Sequence, residues 1–289
     1  MLSAEKGWWA VVCLILLCPS CLAWGPDAHD AVTRAAISVL PAELHPFYAR
    51  NERLIVGLDN LPDMWRDTHR KAEGPHHYVD LDLLSKPPFG DIPRSYAAAE
   101  RKYGRAKLLQ VGVLPWSIQG RHQKLVSAMR RRDFEGIVVH SAILSHYVAD
   151  GANPLHTTSE YDGRTPEQKG IHGRFEMEVA DRLMSGWRLR PPDLSDKSDR
   201  PDRSDAILRY LASSFAQVEA VYQADAAASK ADPSRGEVYG RVFQERAAPL
   251  AKSRLEAASS FLADLYYTAW VSAGKPNLPA TAAPLFWGR

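Results

Sequence analysis

The sequence predicts an all-α fold, a single domain of helices packed around one buried central helix. Apolar residues recur at helical spacing over long stretches, and strand-like alternation is nearly absent. One segment, residues 134–151, is apolar around most of its circumference, and such a helix is usually buried. With 289 residues, 45% of them hydrophobic, the chain can bury a sizeable core.

The helices expected before this central segment follow from apolar spacing, capping residues and prolines. Asp27 could cap a first helix that runs through Val39 and stops at Pro41, because proline cannot continue the backbone ladder. Prolines crowd residues 59–95, so an irregular segment is expected there. Further helices are expected over residues 42–57, 95–111 and 119–131.

The chain after the central segment is also expected to be mostly helical. Asp133 opens the central helix, Pro154 ends it, and a loop should cover residues 157–170. Residues 189–205 are rich in proline, serine and charged residues, which indicates a solvated loop rather than a domain boundary. Further helices are expected over residues 172–184, 204–227 and 237–273, before a surface tail that begins at Lys275.

Residues 1–23 have the features of a secretory signal peptide. Lys6 lies in a short amino-terminal region, the apolar run after it is too short to span a bilayer, and small residues precede Trp24. We therefore expect a secreted or periplasmic protein, cleaved between Ala23 and Trp24, with one domain over residues 24–289. All three cysteines lie in the signal segment, so the mature chain must be stabilised by its core or by metals.

The charge balance points to no polyanionic partner. The 36 basic and 34 acidic residues give a net charge of +2. Such a balance indicates neither a nucleic-acid-binding domain nor attraction to an acidic membrane. No stable protein partner is inferred from the sequence.

Two pairs of histidine and carboxylate residues have the spacing of metal ligands on a helix. His146 and Asp150 are four residues apart on the central helix, and His172 and Glu176 repeat that spacing. A single buried histidine is more often a hydrogen-bonded core residue than a ligand. A buried, unpaired carboxylate is costly, however, and a metal ion removes that cost. The joint pattern therefore predicts metal binding.

Four motifs resemble those of the zinc-dependent phospholipase C and S1/P1 nuclease superfamily. Residues 146–156 (HYVADGANPLH) resemble its H-x-x-x-D signature with a further histidine, and residues 170–176 (GIHGRFE) resemble its second histidine–acid motif. Residues 75–80 (PHHYVD) resemble the stretch around its upstream histidine, and residues 24–29 (WGPDAH) resemble the mature amino terminus of its nuclease branch. The resemblance implies an all-helical, secreted phosphodiesterase.

The resemblance also implies a cofactor of three zinc ions. The implied ligands are Asp63, His77, His146 and Asp150 for the first ion, His156, His172 and Glu176 for the second, and His29, Asp150 and the amino group and carbonyl oxygen of Trp24 for the third. Zinc in open sites can lower the pKa of water to about 7, and paired ions can clamp a phosphoryl group.

Two of the implied ligand positions have an alternative residue. Asp63 has phospholipase-like spacing to His77, whereas Asp67 stands in an element like one of the nucleases, and Asp63 is preferred. His76 is the alternative to His77. The aspartate could also orient the attacking water, so Asp63, or else Asp67, is the expected catalytic residue.

The substrate class is predicted from finer features of the resemblance. Glu176 follows the phospholipase branch, and residues 161–163 (YDG) stand where the nucleases carry a glycine-rich element, so phospholipase C-type cleavage of glycerophospholipids is expected. A single-strand nuclease or 3′-nucleotidase is the rival, favoured by residues 24–25 and the short spacing to His29. A non-catalytic, zinc-stabilised binding module is the third hypothesis. The expected partner is a phospholipid or nucleic-acid phosphodiester, with transient membrane contact in the lipid case.

Overall fold

The computed structural model describes residues 24–191 and 203–280, which consist of helices joined by turns and loops, with no strand among them. The predicted all-α class is therefore confirmed. The predicted signal peptide and the end of the carboxyl-terminal tail lie outside the described residues, as does most of the loop predicted for residues 189–205. No helix in the described ranges is long and apolar enough to cross a membrane.

The helices are named here in chain order. They are α1 (Pro26–Ser38), α2 (His45–Asp59), α3 (Leu61–Thr68), α4 (Arg70–Glu73), α5 (Leu81–Leu84), α6 (Tyr96–Tyr103), α7 (Arg105–Val111), α8 (Leu114–Arg131), α9 (Phe134–Ala152), α10 (Ile171–Gly173), α11 (Arg182–Met184), α12 (Ser204–Phe215), α13 (Val218–Ala231) and α14 (Glu237–Ser272). Short 3₁₀ turns cover Gly74–His77, Pro154–Thr157 and Pro166–Gln168, and a π-helical stretch covers Arg174–Asp181.

Helix α9 is the buried centre of the fold, as its apolar circumference predicts. Every residue from Ser141 to Ala152 is buried. The Asp133 side chain caps the helix by accepting a hydrogen bond from the Gly136 amide at 2.8 Å, and Asn153 ends it immediately before Pro154. Helices α1, α2, α8, α12 and α14 pack around it. Any polar side chain in the second half of α9 is therefore kept from bulk water.

The expectation of an irregular segment over residues 59–95 is wrong for residues 61–84. Helices α3, α4 and α5 and a 3₁₀ turn occupy residues 61–84. Two of the prolines that indicated irregularity, Pro62 and Pro75, lie in the first turn of their helices. Proline is favoured there because its missing amide hydrogen would have no partner in the helix. These prolines start helices instead of breaking them.

The amino terminus of α1 is capped from outside the helix, not by Asp27 as expected. Gly25 occupies the cap position and no side chain within the helix caps it. The Asp181 carboxylate accepts hydrogen bonds from the backbone amides of Asp27 at 3.0 Å and Ala28 at 3.3 Å. A carboxylate at this end also complements the helix dipole. The contact ties the start of α1 to the π-helical stretch.

Backbone hydrogen bonds fix the segment around His77 against its neighbours. The Val79 amide donates to the His156 carbonyl at 2.9 Å, and the Leu114 amide donates to the Tyr78 carbonyl at 3.2 Å. Gly112 adopts φ +84°, and a Cβ at this position would collide with the Tyr78 carbonyl. Glycine therefore allows the α7–α8 corner to approach this segment closely.

His122 provides a test of the packing between α8 and α14. Its ring is buried beside Thr268, and burial together with the nearby Arg203 lowers the pKa of His122 to about 4. Between about pH 6.5 and pH 4 the unfolded state binds a proton at His122 more readily than the folded state does. The contribution of His122 to stability is therefore fully present above this window and decreases as the pH is lowered through it. When the pH is lowered from about 7.5 to 5, we expect the free energy of unfolding to decrease by about 2 kcal/mol less in His122→Gln than in the native chain.

Urea unfolding of both chains at the two pH values measures that difference. The exposed His45 provides the matched control, His45→Gln, which should keep the native pH dependence. An unchanged pH dependence in His122→Gln would contradict the prediction.

Candidate metal centre

The centre of the site is the buried second half of α9. His146 and Asp150 lie one turn apart and are completely buried, with 3.3 Å between His146 Nε2 and Asp150 Oδ2. Four other elements bring a histidine or a carboxylate close to this pair, and they are α1, α3 and the 3₁₀ turns Gly74–His77 and Pro154–Thr157. Around it lie three groups of side chains that could hold metal ions, and the potential ligand atoms of each group lie within 4.8 Å of one another.

The first group joins α3 and the 3₁₀ turn Gly74–His77 to α9. His77 Nδ1 lies 2.9 Å from Asp150 Oδ2, 3.2 Å from His146 Nε2 and 3.6 Å from Asp63 Oδ1. Asp63 Oδ1 also lies 3.5 Å from His146 Nε2. All four predicted ligands of the first ion therefore point at a common centre.

The second group lies on the carboxyl-terminal side of α9. His156 Nε2 is 3.0 Å from Glu176 Oε1, and His172 Nε2 is 2.8 Å from the same oxygen. The side-chain amide of Asn153 also donates a hydrogen bond to this oxygen, at 2.6 Å. Glu176 lies in the first turn of the π-helical stretch and is fully buried, so its carboxylate has no access to solvent. These three predicted ligands also converge.

The third group adds α1. The His29 ring stacks on the His146 ring, with 4.2 Å between centroids and an interplanar angle of 5°, and His29 Nε2 lies 3.7 Å from Asp150 Oδ1. Trp24 is buried next to α9, where its indole nitrogen donates to the Ala149 carbonyl at 2.7 Å. The role of the Trp24 amino group and carbonyl oxygen as ligands depends on cleavage before this residue and stays a prediction.

The structure separates the two pairs of alternative residues. Asp67 is exposed and belongs to none of the three groups, whereas Asp63 lies in the first. His76 points away from the centre, and its Nδ1 contacts the Ser117 hydroxyl at 2.7 Å. His77 occupies the position in the group. The adjacent residues His76 and His77 thus differ in role because their side chains point to different surroundings.

The chemistry of these groups fits a metal ion. Several buried polar atoms have no hydrogen-bond partner among the described residues, and they include Asp150 Oδ1, Glu176 Oε2 and both ring nitrogens of His29. An unsatisfied buried carboxylate oxygen costs on the order of 1–3 kcal/mol. A cation at the centre of each group would satisfy such atoms, and imidazole with carboxylate is a common donor set for transition metals.

Burial and neighbouring charges set the protonation of the cluster. Burial lowers the pKa of His29 to about 3, and His146 contributes in the same direction. Burial also acts to lower the pKa of His146, but Asp150 and Asp63 outweigh it and raise that pKa to about 9. The pKa of Asp150, which burial alone would raise, is held well below its usual range by His146 and His77. Metal binding by His146 would therefore compete with protonation of its ring.

A cavity of about 590 Å³ opens beside the first and second groups. Ligand candidates His77, His156 and His172 form part of its wall. The rest of the wall includes the basic residues Arg66, Arg70 and Lys71 and the apolar or aromatic residues Tyr78, Leu109, Leu155 and Tyr161. The cavity could therefore admit an anionic molecule that also carries an apolar or aromatic part.

Arg66 and Glu73 are two residues of the site that sequence reasoning missed. Arg66 Nη1 lies 3.0 Å from Asp63 Oδ1, and Arg66 also lines the cavity. Glu73 Oε1 lies 3.7 Å from His77 Nε2. Both follow helical spacing, three residues after Asp63 and four before His77. That signal was hidden because residues 59–95 were expected to be irregular.

No protein-family model matches the sequence, and no curated protein matches it either.

Removal of bound metal tests whether the three groups hold ions. Because an ion that binds only the folded chain stabilises it, we expect a strong chelator to lower the Tm by roughly 10 °C. His146 belongs to two groups, so His146→Ala should lose at least one ion per chain by elemental analysis. His140→Ala, on the same helix but outside the groups, is the control. Equal metal content in His146→Ala and native protein would contradict the assignment.

Proposed function

We propose that this protein is an exported, zinc-dependent phosphodiester hydrolase of phospholipase C type. The observation that supports this most is the convergence of three histidine–carboxylate groups, two of which share His146, beside a cavity with a basic wall. The sequence motifs that resemble the phospholipase C and S1/P1 nuclease superfamily supply these same residues.

Zinc is the metal that the ligand types favour. The groups offer neutral imidazole and carboxylate and no thiolate, which suits zinc bound in an open site. The second group has three protein side chains, His156, His172 and Glu176. Three protein ligands leave a position for water or substrate and are typical of catalytic zinc, whereas structural sites are usually closed by four. This favours an enzyme over the non-catalytic binding module.

The residues of the chain would position a phosphodiester next to a water molecule. Arg66, Arg70 and Lys71 give the cavity wall a positive charge that attracts the phosphate group. Asp63 is the least buried carboxylate of the groups, so it can hydrogen-bond a water that enters from the cavity and orient it for attack. Bound zinc would supply the Lewis acidity that makes this water nucleophilic near neutral pH.

The apolar part of the cavity supports a lipid substrate. Leu109 and Leu155 line the wall together with the basic residues, an arrangement that suits a headgroup phosphate attached to a glycerol and acyl chains. Glu176 agrees with the phospholipase branch. The second candidate, a single-strand nuclease, is supported by Tyr78 and Tyr161, because aromatic rings in a basic groove can stack on bases. Export follows the proposed signal peptide, with cleavage before Trp24.

A comparison of substrates tests the reaction. Chain that begins at Trp24 should release phosphocholine from phosphatidylcholine, and thorough zinc removal should abolish this activity. Since Asp63 would orient the attacking water, Asp63→Asn should lower kcat by on the order of 100-fold or more. Asp67→Asn is the matched control, because Asp67 lies on the same short helix outside the groups, and it should keep near-native turnover.

Two outcomes would change the proposal. Turnover of single-stranded DNA without turnover of phosphatidylcholine would move the protein to the nuclease candidate. Activity that survives complete zinc removal would contradict metal-dependent hydrolysis for either substrate.

The freed amino terminus provides a separate test of the third group. One extra residue before Trp24 turns its amine into an amide, which cannot donate a lone pair to zinc. We expect such a chain to lose about one zinc ion and most of its activity. A chain extended by one residue at its carboxyl end is the control. Full zinc content and turnover in the amino-terminal extension would exclude Trp24 as a ligand.

A further inference from the structure

We propose that Glu73 is a positioning residue that fixes the ring of His77 for metal binding by accepting a hydrogen bond from its outer nitrogen. This inference rests on the proposed binding of metal by the first group. It goes beyond that proposal, because Glu73 belongs to none of the three groups.

The two nitrogens of His77 face different surroundings. Nδ1 faces the centre of the first group, 2.9 Å from Asp150 Oδ2 and 3.2 Å from His146 Nε2. Nε2 lies on the other side of the ring and is buried without a hydrogen-bond partner among the described residues. His77 can therefore bind a metal only through Nδ1.

Binding through Nδ1 fixes the position of the proton. A metal-bound imidazole nitrogen carries no proton, so the neutral ring must hold its proton on Nε2. A buried donor without an acceptor is unfavourable by about 1–3 kcal/mol. His77 Nε2 therefore needs an acceptor once Nδ1 binds metal. Glu73 Oε1 lies 3.7 Å away, and a movement of roughly 1 Å brings the two atoms to hydrogen-bond distance.

Tyr147 holds the Glu73 carboxylate close to His77. The Tyr147 hydroxyl donates to Glu73 Oε1 at 2.5 Å, and the Tyr147 ring is buried on α9 next to His146. The same ring packs edge-on against His77, with 5.8 Å between centroids. The carboxylate is thus anchored to the helix that carries the central ligands, and Glu73 can aim its oxygen at His77.

His77 also supports the second group through its backbone. His156 donates a hydrogen bond from Nδ1 to the His77 carbonyl at 2.8 Å, which leaves Nε2 to face Glu176. The outer nitrogen of the His156 ring thus has a fixed backbone acceptor, whereas the outer nitrogen of the His77 ring depends on a side chain for its acceptor. Loss of Glu73 should weaken the first group most and the second group less.

Zinc affinity measured by competition with a calibrated chelator tests the inference without relying on activity. We expect Glu73→Leu to weaken the binding of one zinc ion by about 10–100-fold, the usual effect of losing a partner of a metal-binding histidine. Glu73→Gln keeps an oxygen acceptor but loses the charge, so its loss should be smaller. Tyr147→Phe keeps the acceptor, and its loss should also be smaller than that of Glu73→Leu.

Cobalt substitution adds a spectroscopic readout of ligand geometry. The visible absorption of the cobalt form should change in Glu73→Leu and stay close to native in Glu256→Leu, which removes a half-buried glutamate outside the groups. Circular dichroism checks that each variant is folded. If Glu73→Leu does not fold, Glu73→Gln decides, because it preserves the size of the side chain and, without the charge, should still bind zinc more than twofold more weakly than the native chain.

The outcomes separate this inference from the proposed function. A native chain that binds no zinc would overturn both. A native chain that binds zinc, with Glu73→Gln and any folded Glu73→Leu both within about twofold of its affinity, would overturn the role of Glu73 alone. A loss in Tyr147→Phe as large as that in Glu73→Leu would also overturn it, because packing of the tyrosine would then explain the effect.

Discussion

The burial of the Asp150 carboxylate at the centre of the domain is the constraint on which the site depends. A carboxylate in such a position is tolerated only if cations or hydrogen-bond donors surround it. Imidazoles from three elements approach it, including His29 from α1 and His77 from a 3₁₀ turn. Each approach requires its element to pack directly against α9. The arrangement of the helices and the composition of the cluster are therefore two aspects of one packing solution.

Polar groups outside the cluster hold the converging elements in place. Asp181 accepts hydrogen bonds from the first amides of α1 and so fixes the helix that carries His29. Glu73 contacts Tyr147 on α9, and the His77 carbonyl accepts a hydrogen bond from His156. Such contacts restrict the rotation of the candidate ligands. A preorganised set of ligands loses less conformational entropy when it binds an ion.

Negative and positive side chains occupy different parts of the site. Carboxylates lie at the buried centre, whereas Arg66, Arg70 and Lys71 lie at the cavity wall. In the proposed enzyme, cations at the centre would offset the carboxylates, and an anionic substrate would meet positive charge both at the wall and at the centre. The net charge of +2 gives no sign of this, because the separation of charge is local.

The sequence alone determined the helical class, the buried α9 and the pairs His146–Asp150 and His172–Glu176. These features depend on contacts within one helix turn, so local periodicity is enough to reveal them. Only the tertiary structure decided that Asp63, and not Asp67, lies in the cluster, and that Glu73 faces a ligand. Those outcomes depend on how the short helices α3 and α4 dock on α9. Their docking is set by packing between residues far apart in the chain, which single-sequence patterns do not record.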